Sequence, residues 1–262
     1  MKARTNGALA RLRDLFLRLK LPVLAEETAS RLTAGGHSEA IPTLADIVEL
    51  EVAERHGRKV ARLMKASLLP PAKTLATPDE GHLPRPLVTK LRELADGSFV
   101  ETGSNALFFG LPGVGKTHAA AAVGHALVQK GYSVLFTPTF RLVQDLLAAK
   151  RDLALPRALR RLDLFDVLIL DDIGYVQQSQ EEVEVLFTLL AERYERRSLC
   201  ITSNLVFSEW DRIFKNPMTT VAAIDRLVHH SVILEFGADI PSYRAPRATK
   251  AAKKEVSPSP KG

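Results

Sequence analysis

One cysteine, Cys200, is all that the 262 residues contain. An intramolecular disulfide and an all-cysteine metal site are therefore excluded, and the position of Cys200 after Leu199 in an apolar run predicts a buried core thiol. No run of 18 or more apolar residues occurs, so no membrane-spanning helix is expected. The basic N-terminus lacks the apolar segment of a secretory signal. These absences make the cytoplasm the expected location and leave a membrane out of the expected partners. Acid is missing too, locally: from Arg55 to Lys73 the chain carries Arg55, Arg58, Lys59, Arg62, Lys65 and Lys73 and not one carboxylate.

What is present is an ordinary globular composition. Apolar residues make up 46% of a chain long enough for one large and one smaller domain. The formal net charge of +6 favours an acidic polymer as partner. Lys2, Arg4, Arg11, Arg13, Arg18 and Lys20 face a single acid, Asp14, and Arg247, Lys250, Lys253 and Lys254 repeat the bias near the end. Composition alone leaves two readings of Arg55, Arg58, Lys59, Arg62 and Lys65 open, contact with DNA or a solvated helix face.

Helical apolar spacing runs over 8–33, broken at Pro22, and again over Leu44–Leu69, where Thr43 is placed to cap. Five prolines between 70 and 86 read as a linker. We expect a basic helical domain at 1–70, a linker at 71–83, a second domain at 84–246 and a disordered basic tail at 247–262. In the second domain the apolar runs Ala106–Phe109, Ser133–Phe136, Val167–Leu170, Leu199–Thr202 and Ser231–Leu234 alternate with helical patterns at 117–130, 139–150 with 156–162, 181–196 and 219–229. Strands separated by helices predict an α/β fold with a parallel sheet and ligands at the strands' carboxyl ends.

The first of these strands runs into Gly110-Leu111-Pro112-Gly113-Val114-Gly115-Lys116-Thr117. This fits G-x-x-x-x-G-K-[ST] at every fixed position. The glycines allow successive N–H groups to turn around phosphates, the helix start adds positive potential, Lys116 reaches the β/γ-phosphates and Thr117 ligates Mg²⁺. His118, next in the first helical turn, is counted with the nucleotide-contacting residues, although packing or solvent exposure would serve it as well. Fifty-five positions beyond Lys116, Val167-Leu168-Ile169-Leu170 ends in Asp171-Asp172. Asp171 is placed to hold Mg²⁺ through water and Asp172 to polarise the attacking water. Asn204, ending the next strand, either orients that water or forms a turn. The pair His229-His230 lacks a third ligand at sensible spacing and is read as structural. Phe99 is read as an adenine neighbour or a core aromatic, Trp210 as a packing anchor, and Arg196-Arg197 as phosphate contacts or a solvated helix end.

The phosphate loop, Asp171-Asp172 and Thr202-Ser203-Asn204 together resemble the Walker A, Walker B and sensor 1 elements of an AAA+ ATPase. The further series Ile173-Gly174-Tyr175, Glu192–Ser198, Phe207-Ser208-Glu209-Trp210, Ile224–His230 and Ser242-Tyr243-Arg244 resembles the IstB family, ATP-binding helper proteins of bacterial insertion sequences, and its relative the helicase loader DnaC. Leu19-Lys20-Leu21-Pro22 and Glu51-Val52-Ala53 extend the likeness, so that it covers about 10–245. The resemblance implies an AAA+ P-loop ATPase with a central parallel sheet flanked by helices, preceded by a small all-helical domain. It implies ATP and Mg²⁺ as cofactors, Arg226 as an arginine finger acting on a neighbour's nucleotide and Arg244 as sensor 2. It further implies assembly as a homo-oligomer on double-stranded DNA, largely without regard to sequence, deformation of that DNA, and presentation of the site to a cognate transposase. Many AAA+ proteins carry Glu where Asp172 stands, so slow hydrolysis is expected. Three other functions are weighed against this one: a replicative helicase loader, a P-loop small-molecule kinase, and a DNA-bending clamp in which ATP is glue.

Overall fold

A computed structural model describes residues 2–74, 83–175, 179–214, 216–237 and 240, and their side chains from residue 7 onward except at Tyr175. The chain divides into two compact units, Met1–Arg62 and Leu63–Gly262. Most of the expected linker and all of the expected tail at 247–262 lie outside the described residues.

The first unit is helical: α1 (Lys2–Arg18), α2 (Pro22–Ala34) and most of α3 (Ile41–Ser67). Its core is Leu12, Leu15 and Phe16 of α1, Ala25 of α2, and Ile41, Ala45, Val48 and Val52 of α3. The α3 residues recur at helical spacing and form one apolar stripe. One expectation fails here. α3 begins at Ile41, ahead of Thr43, so Thr43 lies inside the first turn and does not cap it. Pro42 explains the earlier start, because the first turn has no use for the N–H that proline lacks.

The second unit opens with α4 (Arg85–Asp96) and the single turn α5 (Ser98–Glu101). α4 begins within the proline-rich stretch, with Pro86 in its first turn, and buries Leu87, Leu91 and Leu94. Five strands follow: β1 (Asn105–Gly110), β2 (Val134–Pro138), β3 (Val167–Asp171), β4 (Ser198–Ser203) and β5 (Ser231–Phe236). They form one parallel sheet in the order β2-β3-β4-β1-β5. The connections carry α6 (Lys116–Gln129), α7 (Thr139–Arg151), α8 (Leu155–Leu162), α9 (Gln180–Arg193), α10 (Asp211–Phe214) and α11 (Pro217–Val228).

The sheet is covered on both faces, as a parallel sheet must be. Leu107, Phe109, Leu168, Leu170, Leu199 and Ile201 share a core with α7, α9, α10 and α11. Alternate residues, Phe108, Ile169 and Cys200, point the other way. There α6 lies so close that a methyl group on Gly124 would come within 2.7 Å of Ile169. Cys200 is the expected core thiol, and burial pushes its pKa up to about 12. Trp210 anchors the packing: its ring meets Phe109, Phe207 and Phe214, and its indole N–H donates to the Leu205 carbonyl.

Arg193, at the end of α9, is only 1% exposed. Its guanidinium donates to the carbonyls of Leu162 (3.1 Å), Phe165 (3.0 Å) and Ser198 (3.0 Å), with Asp163 at 3.8 Å. One side chain thus ties α8 and the starts of β3 and β4 together. Desolvation lowers its pKa to about 10, which leaves it charged at neutral pH. Arg193→Leu removes the donor shared by the carbonyls of Leu162, Phe165, Asp166 and Ser198 and is expected to cost about 3 kcal/mol of stability in chemical denaturation. A loss below ~0.5 kcal/mol would show that the staple is dispensable.

Candidate functional site

The site is built at the carboxyl edge of the sheet. β1 is buried from Asn105 to Phe109 and delivers the chain to the loop 110–117. Val114, 3% exposed, pins the loop's middle. Gly113 and Gly115 hold φ of 89° and 100°, a conformation that side chains resist, and Gly115 is the N-cap of α6. A methyl group on Gly115 would meet nothing within 4 Å, so space is open beside the loop at this residue. Backbone N–H groups at the start of a 14-residue helix then face an open cradle. Lys116 is 9% exposed, and its Nζ curls back to donate to the carbonyls of Gly110 (2.6 Å) and Leu111 (2.9 Å). A buried ammonium is thereby held within the loop. Leu111 and Pro112 are exposed, and Thr117 is half-buried at the second position of α6. His118 points elsewhere: its Nε2 lies 3.4 Å from the Thr74 carbonyl.

β4 lies between β1 and β3, with Phe109 beside Ser203 and Leu170 beside Ile201. That register brings Asp171, Asp172 and Asn204 to the edge that carries the loop. Asp171 is fixed twice. Its carbonyl accepts from Thr139 Oγ1 (3.0 Å), and its Oδ1 accepts from Thr202 Oγ1 (2.8 Å). Asp172 follows with φ of 59°, in the left-handed region that Asp tolerates better than most residues, and its N–H donates to Thr202 Oγ1 (2.8 Å). Asn204 Oδ1 is buried with no hydrogen-bond partner among the described residues. The turn beneath it is closed by Ser203 Oγ, which donates to the Leu205 carbonyl and accepts from its N–H.

These groups fit a nucleoside triphosphate and a hard cation. The cradle is open, an ammonium lies in it, a buried amide oxygen is unmatched, and Thr117 and Asp171 offer the oxygen ligands that Mg²⁺ takes.

Arg226 is set apart. It lies on α11, where Nη1 donates to the Ala222 carbonyl (2.9 Å) and the guanidinium stacks 5.1 Å from the ring centre of Phe187 on α9. Phe187 was not singled out by sequence, since an aromatic residue inside a helix reads only as core. Arg244 lies outside the described residues. Phe99 is buried, and its carbonyl accepts from Ser198 Oγ (3.3 Å), a core position. Arg196 pairs with Asp163 (2.9 Å) and Arg197 with Asp166 (2.6 Å), as at a solvated helix end. On α3, Arg55, Arg58, Lys59, Arg62 and Lys65 are all exposed, and Arg55 and Arg58 are shared with Glu51. The expectation that His229 and His230 lack a third ligand is corrected: Glu195 Oε1 lies 3.7 Å from a ring nitrogen of each. The loop after α9 brings it there across 34 positions of sequence. All three are exposed, and the Tyr194 hydroxyl occupies His229 Nδ1 at 3.1 Å.

Comparison with known proteins agrees with this geometry. The family model of IstB-like ATP-binding proteins matches residues 15–251. An insertion-sequence ATP-binding protein of Sinorhizobium fredii is 46% identical over 82% of this chain and 72% of its own length. The ATP-binding protein of insertion sequence IS21 from Pseudomonas aeruginosa is 38% identical over 90% and 89%. Among solved structures, the DnaC helicase loader aligns with a TM-score of 0.51 at 21% identity, over 66% of this chain and 98% of that one. The replication initiator DnaA, bound to AMPPCP and single-stranded DNA, aligns with a TM-score of 0.56 at 16% identity, over 74% and 58%. The chain belongs to the IstB-like ATP-binding family and has the AAA+ P-loop fold. Among the described residues, no helix is long and apolar enough to cross a membrane.

Lys116→Ala removes the ammonium held in the cradle. It is expected to weaken ATP binding roughly 100-fold or more in a filter-binding assay. Unchanged affinity would show that the backbone cradle alone holds the nucleotide.

Proposed function

We propose that this IstB-like protein is an ATPase that assembles on duplex DNA, deforms it and recruits or regulates the transposase of its insertion sequence. One observation carries the ATPase part: the phosphate loop, the paired aspartates and Asn204 meet at one edge because β4 is inserted between β1 and β3. ATP and Mg²⁺ supply the phosphoryl group and the cation that shields its charge. The loop N–H groups and Lys116 bind and orient the phosphates. Thr117 and Asp171 would hold the ion. Asp172 polarises the attacking water, and Asn204 orients it. Asp172 is one methylene shorter than glutamate, so its carboxylate reaches less far and turnover is slow.

Arg226 serves a neighbouring subunit in this reading. Its stacking on Phe187 and its bond to the Ala222 carbonyl restrain the guanidinium. A second cation delivered by a neighbour stabilises the charge that develops on the γ-phosphoryl group, an effect on the order of 10³-fold in rate. Activity then rises with protein concentration and with DNA, which gathers subunits. Arg226→Ala is expected to bind ATP without hydrolysing it. Mixing it with Lys116→Ala is expected to recover turnover at each interface that joins an intact loop to an intact arginine. A mixture that assembles on DNA and stays inactive would rule out action across the interface.

The DNA contact rests on the exposed basic residues of α3. The ion pairs of Arg55 and Arg58 with Glu51 and Glu54 are exposed, hence weak, and leave these side chains available to phosphates. Among the described residues no base-reading module accompanies them, so binding should be largely indifferent to sequence and steeply salt-dependent, with a slope of about 0.9 per phosphate contact. Reversing the charge of Arg58, Lys59 and Arg62 is expected to weaken all duplexes alike and to flatten that slope. Loss of affinity for one sequence only would argue for base recognition instead.

A further inference from the structure

Thr202 is 1% exposed and has one hydroxyl, yet that hydroxyl serves both acids. It donates its only proton to Asp171 Oδ1 (2.8 Å) and accepts the N–H of Asp172 (2.8 Å). The directions are fixed, because an amide N–H can only donate and the hydroxyl has a single proton for the carboxylate. The two bonds form a chain from the Asp172 backbone through Thr202 to the Asp171 carboxylate, in which each bond polarises the next. The first bond holds Asp172 in its left-handed conformation, φ 59°. The second occupies one carboxylate oxygen of Asp171 and restrains rotation of the group, leaving the other oxygen outside this bond. Thr202 also stands two residues before Asn204 on the strand between β1 and β3. Gly174, two residues after Asp172, closes the circuit from the other side: a methyl group there would collide with Asn204 Oδ1 and crowd Leu205.

We infer that Thr202 is a positioning residue for ATP hydrolysis, one that sets Asp171 toward the metal and Asp172 toward the water and ties both to the strand that carries Asn204. The inference rests on the reading that Asp171 and Asp172 serve the bound nucleotide. It assigns Thr202 no contact with ATP.

The test compares Thr202→Val, which keeps the shape and loses the hydroxyl, with Thr202→Ser, which keeps the hydroxyl. In the full-length protein Thr202→Val is expected to lower kcat by about 10–100-fold, the usual effect of removing a group that orients a metal ligand. Affinity for a non-hydrolysable ATP analogue without Mg²⁺ should stay within about threefold of the parent, while the gain in that affinity on adding Mg²⁺ should shrink by about tenfold. Thr202→Ser should restore both quantities. A Thr202→Val protein with parental kcat and parental Mg²⁺ response overturns the inference. So does a folded Thr202→Ser protein as slow as Thr202→Val. Should Thr202→Val not fold, Thr202→Ala takes its place beside Thr202→Ser, and equal rates for the two give the same contrary result. Asp171→Asn and Asp172→Asn separate this from failure of the underlying reading. If both hydrolyse ATP at the parent rate, the reading of the acids fails. If they are inactive while Thr202→Val turns over normally, only the role of Thr202 fails.

Discussion

β4 is hydrogen-bonded on both sides, to β1 and to β3, and the site depends on that insertion. The loop grows from β1 and the paired acids from β3, strands that are 62 residues apart at their first positions, Asn105 and Val167. Without β4 between them the two tips would be neighbours with no room for a polar strand end. With it, Thr202 and Asn204 stand between phosphate loop and acids. Because all five strands are parallel, every such tip emerges at one edge. Burial of both faces makes the scaffold rigid and leaves that edge as the place where polar chemistry is satisfied without disturbing the core.

The polar groups there are held from behind. Thr139 and Thr202 fix Asp171 by its carbonyl and its carboxylate. Lys116 is drawn in by the carbonyls of Gly110 and Leu111. Arg193 applies the same logic at the opposite end of β3 and β4, where one buried guanidinium donates to carbonyls at the end of α8, before β3 and at the start of β4. Phe187 restrains Arg226 by stacking against its guanidinium. Desolvated groups with fixed partners need little rearrangement when charge develops nearby, and this is the physical basis of electrostatic stabilisation in an enclosed site.

The five strands and the helices between them were legible because a doubly covered parallel strand is an unbroken apolar run, as in Val167–Leu170. The loop was legible because its spacing is dictated by phosphate geometry. α4 was hidden by its own prolines: Pro84 and Pro86 read as linker, although Leu87, Leu91 and Leu94 keep helical spacing and Pro86 fits a first turn. Thr43 has the chemistry of a cap but sits inside α3, because Pro42 lets the helix start earlier. Arg193 and Thr202 carry no local signal at all. A buried arginine is defined by carbonyls 5 to 31 positions away, and the partners of Thr202 lie 30 and 31 positions back. Glu195 joined His229 and His230 for the same reason. Contacts between the ends of different strands follow from strand order, and β4 entering between β1 and β3 is a property of the sheet rather than of any segment.

On the proposed reading, the loop, Asp171, Asp172 and Asn204 form a single nucleotide site at the sheet's carboxyl edge. An experimental structure of the protein with Mg²⁺ and a non-hydrolysable ATP analogue tests it most directly. The account predicts the triphosphate wrapped by the 110–117 loop, the Lys116 ammonium turned from its loop carbonyls onto the phosphates, and the γ-phosphate facing the paired aspartates and Asn204. A nucleotide bound away from this edge, or a γ-phosphate with the aspartates turned from it, would contradict it.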